Sequence, residues 1–373
     1  MNNIGFKLNS PLTLGEGLVL KNRVVLSPLT RCRSAVDRVP SELNEIYYEQ
    51  RAGAGLIITE ATAVSDQGYG WNHAPALYTK EHAAGWKRVI DRVHAKDSKI
   101  FSQIWHMGRQ SHSSFNAKKE IVSSSAIRVV NGHTRDTSNV VRQFEMPRAL
   151  ETDEVAGVVE DFRRCAELAK EAGFDGVEIH GANGYLIDQF LQSVSNVRTD
   201  KYGGSIENRA RFLLEIVDAV KTVWPAEQIG VRVSPNGSFG DMGSEDNIEQ
   251  YTYVFEKLSH HGLAYLSILD GFGFGFHDKC RHLTAFDAKV SFKGTVIANN
   301  NYTRETAEGV LRSGAADLVG FGRLHISNPD LAERFRNNWP LNPLTSADVY
   351  YNFSLGATGY TDFPFYHQTL GSS

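Results

Sequence analysis

Cysteine is scarce in this chain of 373 residues: there are three, Cys32, Cys165 and Cys280, odd in number and widely spaced. That argues against a disulfide framework or a cysteine metal knuckle and fits free thiols in a reducing compartment. A basic excess is missing too, since 39 Lys and Arg face 43 Asp and Glu for a net charge of -4. With no global field to draw nucleic acid or anionic lipid, the expected partner is a small molecule, and neither nucleic acid nor membrane. No window reaches the uninterrupted apolar length of a bilayer span, and residues 1–6 hold no basic stretch ahead of an apolar one. The end, Leu370-Gly371-Ser372-Ser373, lacks a Ser-Lys-Leu type of address. The cytoplasm is the expected location, with the chain a monomer or homodimer.

What is present is an ordinary globular composition, 41% hydrophobic and 22% charged. Short β-branched runs alternate with helix-length amphipathic stretches, the pattern of a parallel sheet with crossover helices. Eight runs qualify, at 23–26, 55–59, 100–104, 176–179, 229–233, 265–269, 295–298 and 316–320. Several are apolar on consecutive residues, as in strands covered on both faces. Helices are expected at 41–51, 80–95, 152–172, 206–224, 247–260, 303–313 and 328–335, and only 271–292 lacks a clear one. Gly173 reads as a helix stop, and Asn328-Pro329-Asp330 as a cap with proline just inside the last helix. Residues 12–20 read as a hairpin plugging the sheet from below, and 106–150, too long for an ordinary connection, as a folded insertion over its mouth. The expectation is α/β: one domain over 1–373, a (β/α)8 TIM barrel with an N-terminal hairpin plug and an inserted capping segment at about 106–150. An open doubly wound sheet would show the same alternation.

Barrel enzymes keep their working residues at the carboxyl ends of strands. Here those ends carry Pro28-Leu29-Thr30-Arg31, Glu60-Ala61-Thr62, Gln103-Ile104-Trp105-His106, His180-Gly181-Ala182-Asn183-Gly184-Tyr185, Arg232, Asn299-Asn300-Asn301 and Gly322-Arg323. None offers an obvious Schiff-base lysine or a His-x-His metal pair, which weakens aldolase and metal-hydrolase readings. Gly320-Phe321-Gly322-Arg323 follows the last strand, where phosphate-binding barrels hold a phosphate. His180 and Asn183 can donate together to one substrate oxygen, and the Tyr185 phenol can act as a general acid. Arg232 closes a buried strand and requires an anion or acceptor, either a ligand or an acidic neighbour such as Glu178. The run Asp270-Gly271-Phe272-Gly273-Phe274-Gly275-Phe276 reads as a flap over the substrate or an aromatic loop, and is no dinucleotide fingerprint because no helix opens from it.

These segments, taken in order, resemble the Old Yellow Enzyme family along nearly the whole chain. The matches are Asn22-Arg23-Val24-Val25-Leu26-Ser27-Pro28-Leu29-Thr30-Arg31, Gln103-Ile104-Trp105-His106-Met107-Gly108-Arg109, Glu178-Ile179-His180-Gly181-Ala182-Asn183-Gly184-Tyr185-Leu186, Lys201-Tyr202-Gly203-Gly204-Ser205-Ile206-Glu207-Asn208-Arg209, Phe321-Gly322-Arg323 and Gly359-Tyr360-Thr361-Asp362-Phe363-Pro364. The resemblance implies tightly bound, non-covalent FMN, reduced by NAD(P)H and reoxidised by an enone or nitroalkene in the same site. Thr30 would bond the flavin C4 oxygen, Gln103 the pyrimidine edge and Arg232 the N1 and C2-oxygen side, with Pro28, Leu29 and Ala61 beside the ring. Asn300, Asn301, Gly322 and Arg323 would hold the phosphate. His180 and Asn183 would bind the substrate oxygen with Tyr351 nearby, and Tyr185 would protonate the α-carbon opposite the incoming hydride.

Thr30 sets the chain apart from a branch of the family with cysteine there, and Cys32 is not that cysteine. Tyr185 favours reduction, since relatives with phenylalanine in its place can isomerise some substrates. Asn300 departs from the glycine many relatives carry: either asparagine takes the same backbone, or the phosphate loop is shifted by one. Trp71, Tyr78 and His112 are further candidates for the mouth. A flavin-holding sensor and a sugar-phosphate lyase or isomerase are the competing readings. The first has no use for the His180, Asn183 and Tyr185 set, and the second would be colourless.

Overall fold

The computed structural model describes residues 5–271 and 275–366. The middle of the expected flap, Phe272 to Phe274, and both extreme termini, with the expectations attached to them, lie outside the described residues. Eight parallel strands close on themselves: β1 (Val24–Leu26), β2 (Leu56–Ile58), β3 (Lys99–Trp105), β4 (Gly176–Gly181), β5 (Ile229–Val233), β6 (Tyr265–Leu269), β7 (Val296–Asn299) and β8 (Leu318–Phe321). Each pairs with its neighbour, β8 pairs with β1, and β3 with β4, so the sheet is a barrel and not an open wound sheet. All eight runs expected from the sequence are these strands, and their near-total burial on both faces explains why they are apolar without alternation.

Register sets the chemistry at the open end. Gln103 lies across from Glu178, His180 from Arg232, Leu269 from Asn299, and Asn299 from Gly320. The opposite end is filled by the hairpin, Leu12–Gly15 against Leu18–Leu20. Leu18 and Leu20 pack on Val25, Leu56, Phe101, Tyr265, Ile297 and Leu318, the plug that the glycine turn predicts.

The described α-helices are α1 (Glu42–Gln50), α2 (Lys80–His94), α3 (Glu154–Ala172), α4 (Leu186–Leu191), α5 (Ile206–Lys221), α6 (Asn247–Ser259), α7 (Ala285–Phe292), α8 (Arg304–Arg312), α9 (Arg323–Ser327), α10 (Leu331–Asn337) and α11 (Ala347–Tyr350). Phe212, Ile216 and Val220 of α5 are fully buried on one stripe, as their spacing requires. Gly173 ends α3 at φ 96, a left-handed stop. None of the described helices is long and apolar enough to cross a membrane.

Two expectations are corrected. The stretch 271–292 does hold a helix, α7, started by a reciprocal capping box in which Thr284 and Asp287 satisfy each other's backbone N–H. Its apolar residues do not fall on one stripe, so periodicity passes over it. The helix expected at 328–335 starts only after Asp330, as α10, while Asn328 terminates the separate short α9, so Pro329 lies in the link and not inside a helix.

The insertion at 106–150 carries short 3-10 turns, a parallel pairing of Val122–Ser123 with Arg148–Ala149, and a hairpin of Thr134–Arg135 with Val141–Arg142. It is tied to the barrel top by Leu186 N–H donating to His106 O at 3.1 Å and by Gln110 Nε2 donating to Asn183 O at 2.7 Å.

Candidate functional site

The carboxyl ends of the strands surround an open cavity of about 1030 Å³. The residues that the resemblance assigns to cofactor and substrate line it: Pro28, Leu29 and Thr30 after β1, Ala61 after β2, Gln103 on β3, His180, Asn183 and Tyr185 at the end of β4, Arg232 on β5, Asn300 and Asn301 after β7, Gly322 and Arg323 after β8, and Tyr351 from the C-terminal segment. Residues 323 positions apart in sequence meet because a closed barrel brings all its loops to one rim.

One corner is built by the loop after β4. Asn183 and Gly184 take left-handed backbone, φ 58 and 69, which turns the chain sharply enough to present Asn183 and Tyr185 to the same space. The turn is fixed from below by Asp188 of α4, whose Oδ2 accepts from Gly184 N–H at 2.8 Å, and by Ser234 Oγ, which accepts from Asn183 N–H at 2.7 Å. With its backbone so held, the Asn183 side-chain amide makes no hydrogen bond to another described residue and lines the cavity. His180 is buried, and burial, helped by the Arg232 charge, holds its pKa well below the usual imidazole value. Its Nδ1 accepts from Ala182 N–H at 3.3 Å, so the neutral ring carries its proton on Nε2. The Tyr185 ring meets His180 and Trp105 edge-on, centroids 5.1 and 5.2 Å away, and burial raises its phenol pKa, keeping the proton on.

Arg232 resolves a question left open by the sequence. Glu178 is taken by Gln103, whose Nε2 donates to Glu178 Oε1 at 2.8 Å. Arg232 has no ion pair within 4.0 Å among the described residues, and its Nε is buried without a partner. The surrounding charge is still felt, since burial lowers the arginine pKa while Glu178 opposes the shift. A buried guanidinium facing a cavity without a bonded anion is a strong pointer to a ligand with electron-rich atoms.

At the opposite side Asn300 and Asn301 both take positive φ, 99 and 59. Asn300 therefore adopts backbone that glycine favours, and no shift in register is needed to accommodate it. Its Nδ2 donates to Gly271 O at 3.2 Å. Arg323 Nη2 donates to Asn301 Oδ1, joining the β7 and β8 exits. Asn299 faces inward and braces strands, accepting from Ser27 Oγ and donating to Ser267 Oγ, both at 2.8 Å.

Above the cavity lies a wider chamber of about 1580 Å³ between the insertion and the C-terminal segment. Trp71, Tyr185, Phe239 and Tyr351 line both spaces, and Trp71 leans on Tyr351 with ring centroids 5.1 Å apart. Of the other mouth candidates, Tyr78 and His112 line neither: Tyr78 OH is held by Arg38, and His112 Nδ1 accepts from Ser114 N–H at 3.2 Å to cap a turn. Reading strand exits misses Phe239, which lies beyond β5 in a loop whose only sequence signal is an aromatic among glycines. It misses Asp188 and Ser234 as well, although an aspartate inside the apolar run of α4 is a usable sign of a buried anchor.

The lining suits a planar heteroaromatic group with acceptors along one edge and an anionic tail: Thr30, Gln103 and Arg232 offer donors on one side, and Asn301 with Arg323 a polar, cationic end. The model of the family described as NADH:flavin oxidoreductase / NADH oxidase matches residues 7–342. Among curated proteins, 12-oxophytodienoate reductase 1 of Oryza sativa subsp. japonica is 42% identical over 368 residues, spanning 96% of this chain and 93% of that one. The 12-oxophytodienoate reductase 2 of Arabidopsis thaliana is 40% identical over 360 residues, spanning 96% and 95%. Among solved structures, morphinone reductase in complex with tetrahydroNAD superposes with a TM-score of 0.88 at 42% identity, covering 96% of this chain and 97% of that one. The old yellow enzyme homologue from Zymomonas mobilis does so at 0.91 and 36%, covering 96% and 99%.

Proposed function

This chain belongs to the NADH:flavin oxidoreductase / NADH oxidase family, that of the Old Yellow Enzyme, and so is an NAD(P)H-dependent flavin oxidoreductase that uses FMN; we propose that it reduces the activated C=C bond of enones or nitroalkenes. FMN, when bound, would supply the hydride chemistry that couples NAD(P)H oxidation to reduction of the alkene.

The protein's own residues do the rest. Arg232, Gln103 and Thr30 would offer donors to the polar edge of the cofactor, Pro28, Leu29 and Ala61 would flank its ring, and Asn300, Asn301, Gly322 and Arg323 would hold its phosphate. His180 Nε2–H and the Asn183 amide donate to the substrate oxygen, stabilising negative charge as it develops there. A neutral imidazole suits this role, because it donates without surrendering its proton. Tyr185 keeps its proton until the α-carbon needs one, and delivers it from the face away from the cofactor, for net trans addition. Relatives are named as reductases of 12-oxophytodienoate and morphinone, and the observation that carries the reading here is the His180, Asn183 and Tyr185 corner, which merely holding a flavin does not require.

The test is anaerobic turnover of NADPH with 2-cyclohexenone, followed by analysis of the product. One cyclohexanone formed per NADPH consumed supports the proposal. NADPH oxidation that proceeds only with dioxygen, and leaves the enone untouched, overturns it.

A further inference from the structure

Glu60 lies two residues past the end of β2 beside the cavity-lining Ala61, is 1% exposed, and has no part in the chemistry above. Two elements meet on its carboxylate, and a third is reached through one of them. From the loop after β1, Arg31 N–H donates to Oε2 at 3.1 Å. From α1, Asn44 Nδ2 and Tyr48 OH donate to Oε1 at 3.0 and 3.3 Å. The same Asn44 Nδ2 lies 3.0 Å from the hydroxyl of Tyr360, in the C-terminal segment.

Around it lie two buried arginines that form no ion pair among the described residues. Arg31 donates through Nε to Tyr350 O at 3.1 Å and through Nη2 to Gly359 O at 2.8 Å. Arg33 donates through Nε to Gly356 O at 3.0 Å and through Nη2 to Val349 O at 3.2 Å. Both guanidinium groups thus grip the backbone on either side of Tyr351, and each lies over the Tyr360 ring, at 5.0 and 5.3 Å. Carbonyl oxygens carry only partial charge, so the Glu60 carboxylate is the nearby group able to offset two buried cations. Thr30, one residue before Arg31, lines the cavity at the other end of this assembly.

We propose that Glu60 is a positioning residue: through Arg31 and Arg33 its carboxylate locks the β1 exit loop to the C-terminal segment, holding Thr30 and Tyr351 in one fixed arrangement around the site. The consequence for Tyr351 as a substrate contact rests on the proposed alkene reduction, whereas the lock itself does not.

The groups facing this carboxylate are Arg31, Cys32 and Arg33 from the loop, Tyr48 from α1 and Tyr360 from the C-terminal segment, with Tyr47 and Arg51 behind them. Burial pushes the Glu60 carboxyl up to about 7, while the Arg31 N–H bond and the charges of Arg31 and Arg33 oppose it. Cys32, Tyr48 and Tyr360 are all raised by burial and hold their protons throughout the neutral range. Glu60 is therefore the member of this cluster that changes charge there.

The experiment is hydrogen–deuterium exchange of the FMN-loaded protein over residues 349–361 at about pH 8 and about pH 6, corrected for intrinsic rates, for wild type and Glu60→Gln, alongside the apparent Kd for the neutral probe cyclohexenone. Wild type is expected to exchange this segment faster at the lower pH and to bind cyclohexenone about threefold or more weakly there. Glu60→Gln should show the loose behaviour at both pH values, and Glu60→Asp should restore part of the pH dependence. Equal protection in wild type and Glu60→Gln at the higher pH overturns the lock, whereas loosening that leaves cyclohexenone affinity unchanged in an enzyme that turns over the enone overturns its consequence for Tyr351. Should Glu60→Gln not fold, a wild-type segment whose protection ignores pH overturns it equally. Loosening in an enzyme that never turns over the enone upholds the lock and sinks the proposed function instead.

Discussion

Ala182 gives its backbone N–H to Nδ1 of His180 across 3.3 Å, and this single contact decides that the ring presents a proton from Nε2. Without it either nitrogen could carry the proton, and half the tautomers would offer the substrate oxygen a lone pair. The account predicts that His180→Ala weakens binding of a phenolic ligand about tenfold or more while FMN content stays unchanged. Equilibrium titration of the flavin spectrum checks this, and an unaltered affinity removes His180 from oxygen binding.

Arg232 makes a prediction with two signs. Its guanidinium is buried without an ion pair, so Arg232→Met should leave the flavin-free protein as stable as wild type or more so. The same change should weaken FMN affinity about tenfold or more, because the cofactor is what offsets the charge. Thermal unfolding of apoprotein and FMN titration together decide it. A destabilised apoprotein with normal FMN affinity would return Arg232 to a structural pairing with Glu178.

Asn300 at φ 99 occupies backbone that suits glycine. Asn300→Gly should keep stability within about 1 kcal/mol of wild type with full FMN content, whereas Asn300→Val should cost about 1–3 kcal/mol and lower flavin retention. Urea unfolding and flavin quantitation measure both.

Much of this was written in the order of the residues. Strands buried on both faces announce themselves as continuous apolar runs, and their exits name the cavity lining from Pro28 to Arg323. The lost pieces depended on contacts distant in sequence or on local capping. Helix α7 starts through the Thr284 and Asp287 box although its apolar residues form no stripe. Asp188 and Ser234 act on the β4 exit loop from other elements, and no spacing connects them to Asn183. Tyr78 and His112 are aromatic candidates for the mouth, yet each is turned away by a partner: Tyr78 by Arg38, which the fold brings within reach, and His112 by the local turn at Ser114 that it caps.

Buried histidines set the acid side of stability. His106 and His325 are pushed down to about 3 by burial, and His180 is also held well below its usual value. Folded pKa values depressed below about 6.5 mean that the unfolded chain takes up protons that the folded one refuses, so their stabilising contribution is present above that pH and is lost as pH falls. His325→Gln should therefore flatten the decline of urea-unfolding free energy between about pH 6.5 and 4. A decline as steep as that of wild type would mean that His325 charges in the folded state.

The most direct test of the proposed chemistry is a two-stage anaerobic stopped-flow comparison of wild type with Tyr185→Phe, watching the flavin absorbance. Bleaching by NADPH should proceed at nearly equal rates, since no proton from Tyr185 is needed. Recolouring on addition of cyclohexenone should then be about 10²-fold or more slower in the variant. Recolouring at the wild-type rate would contradict the account.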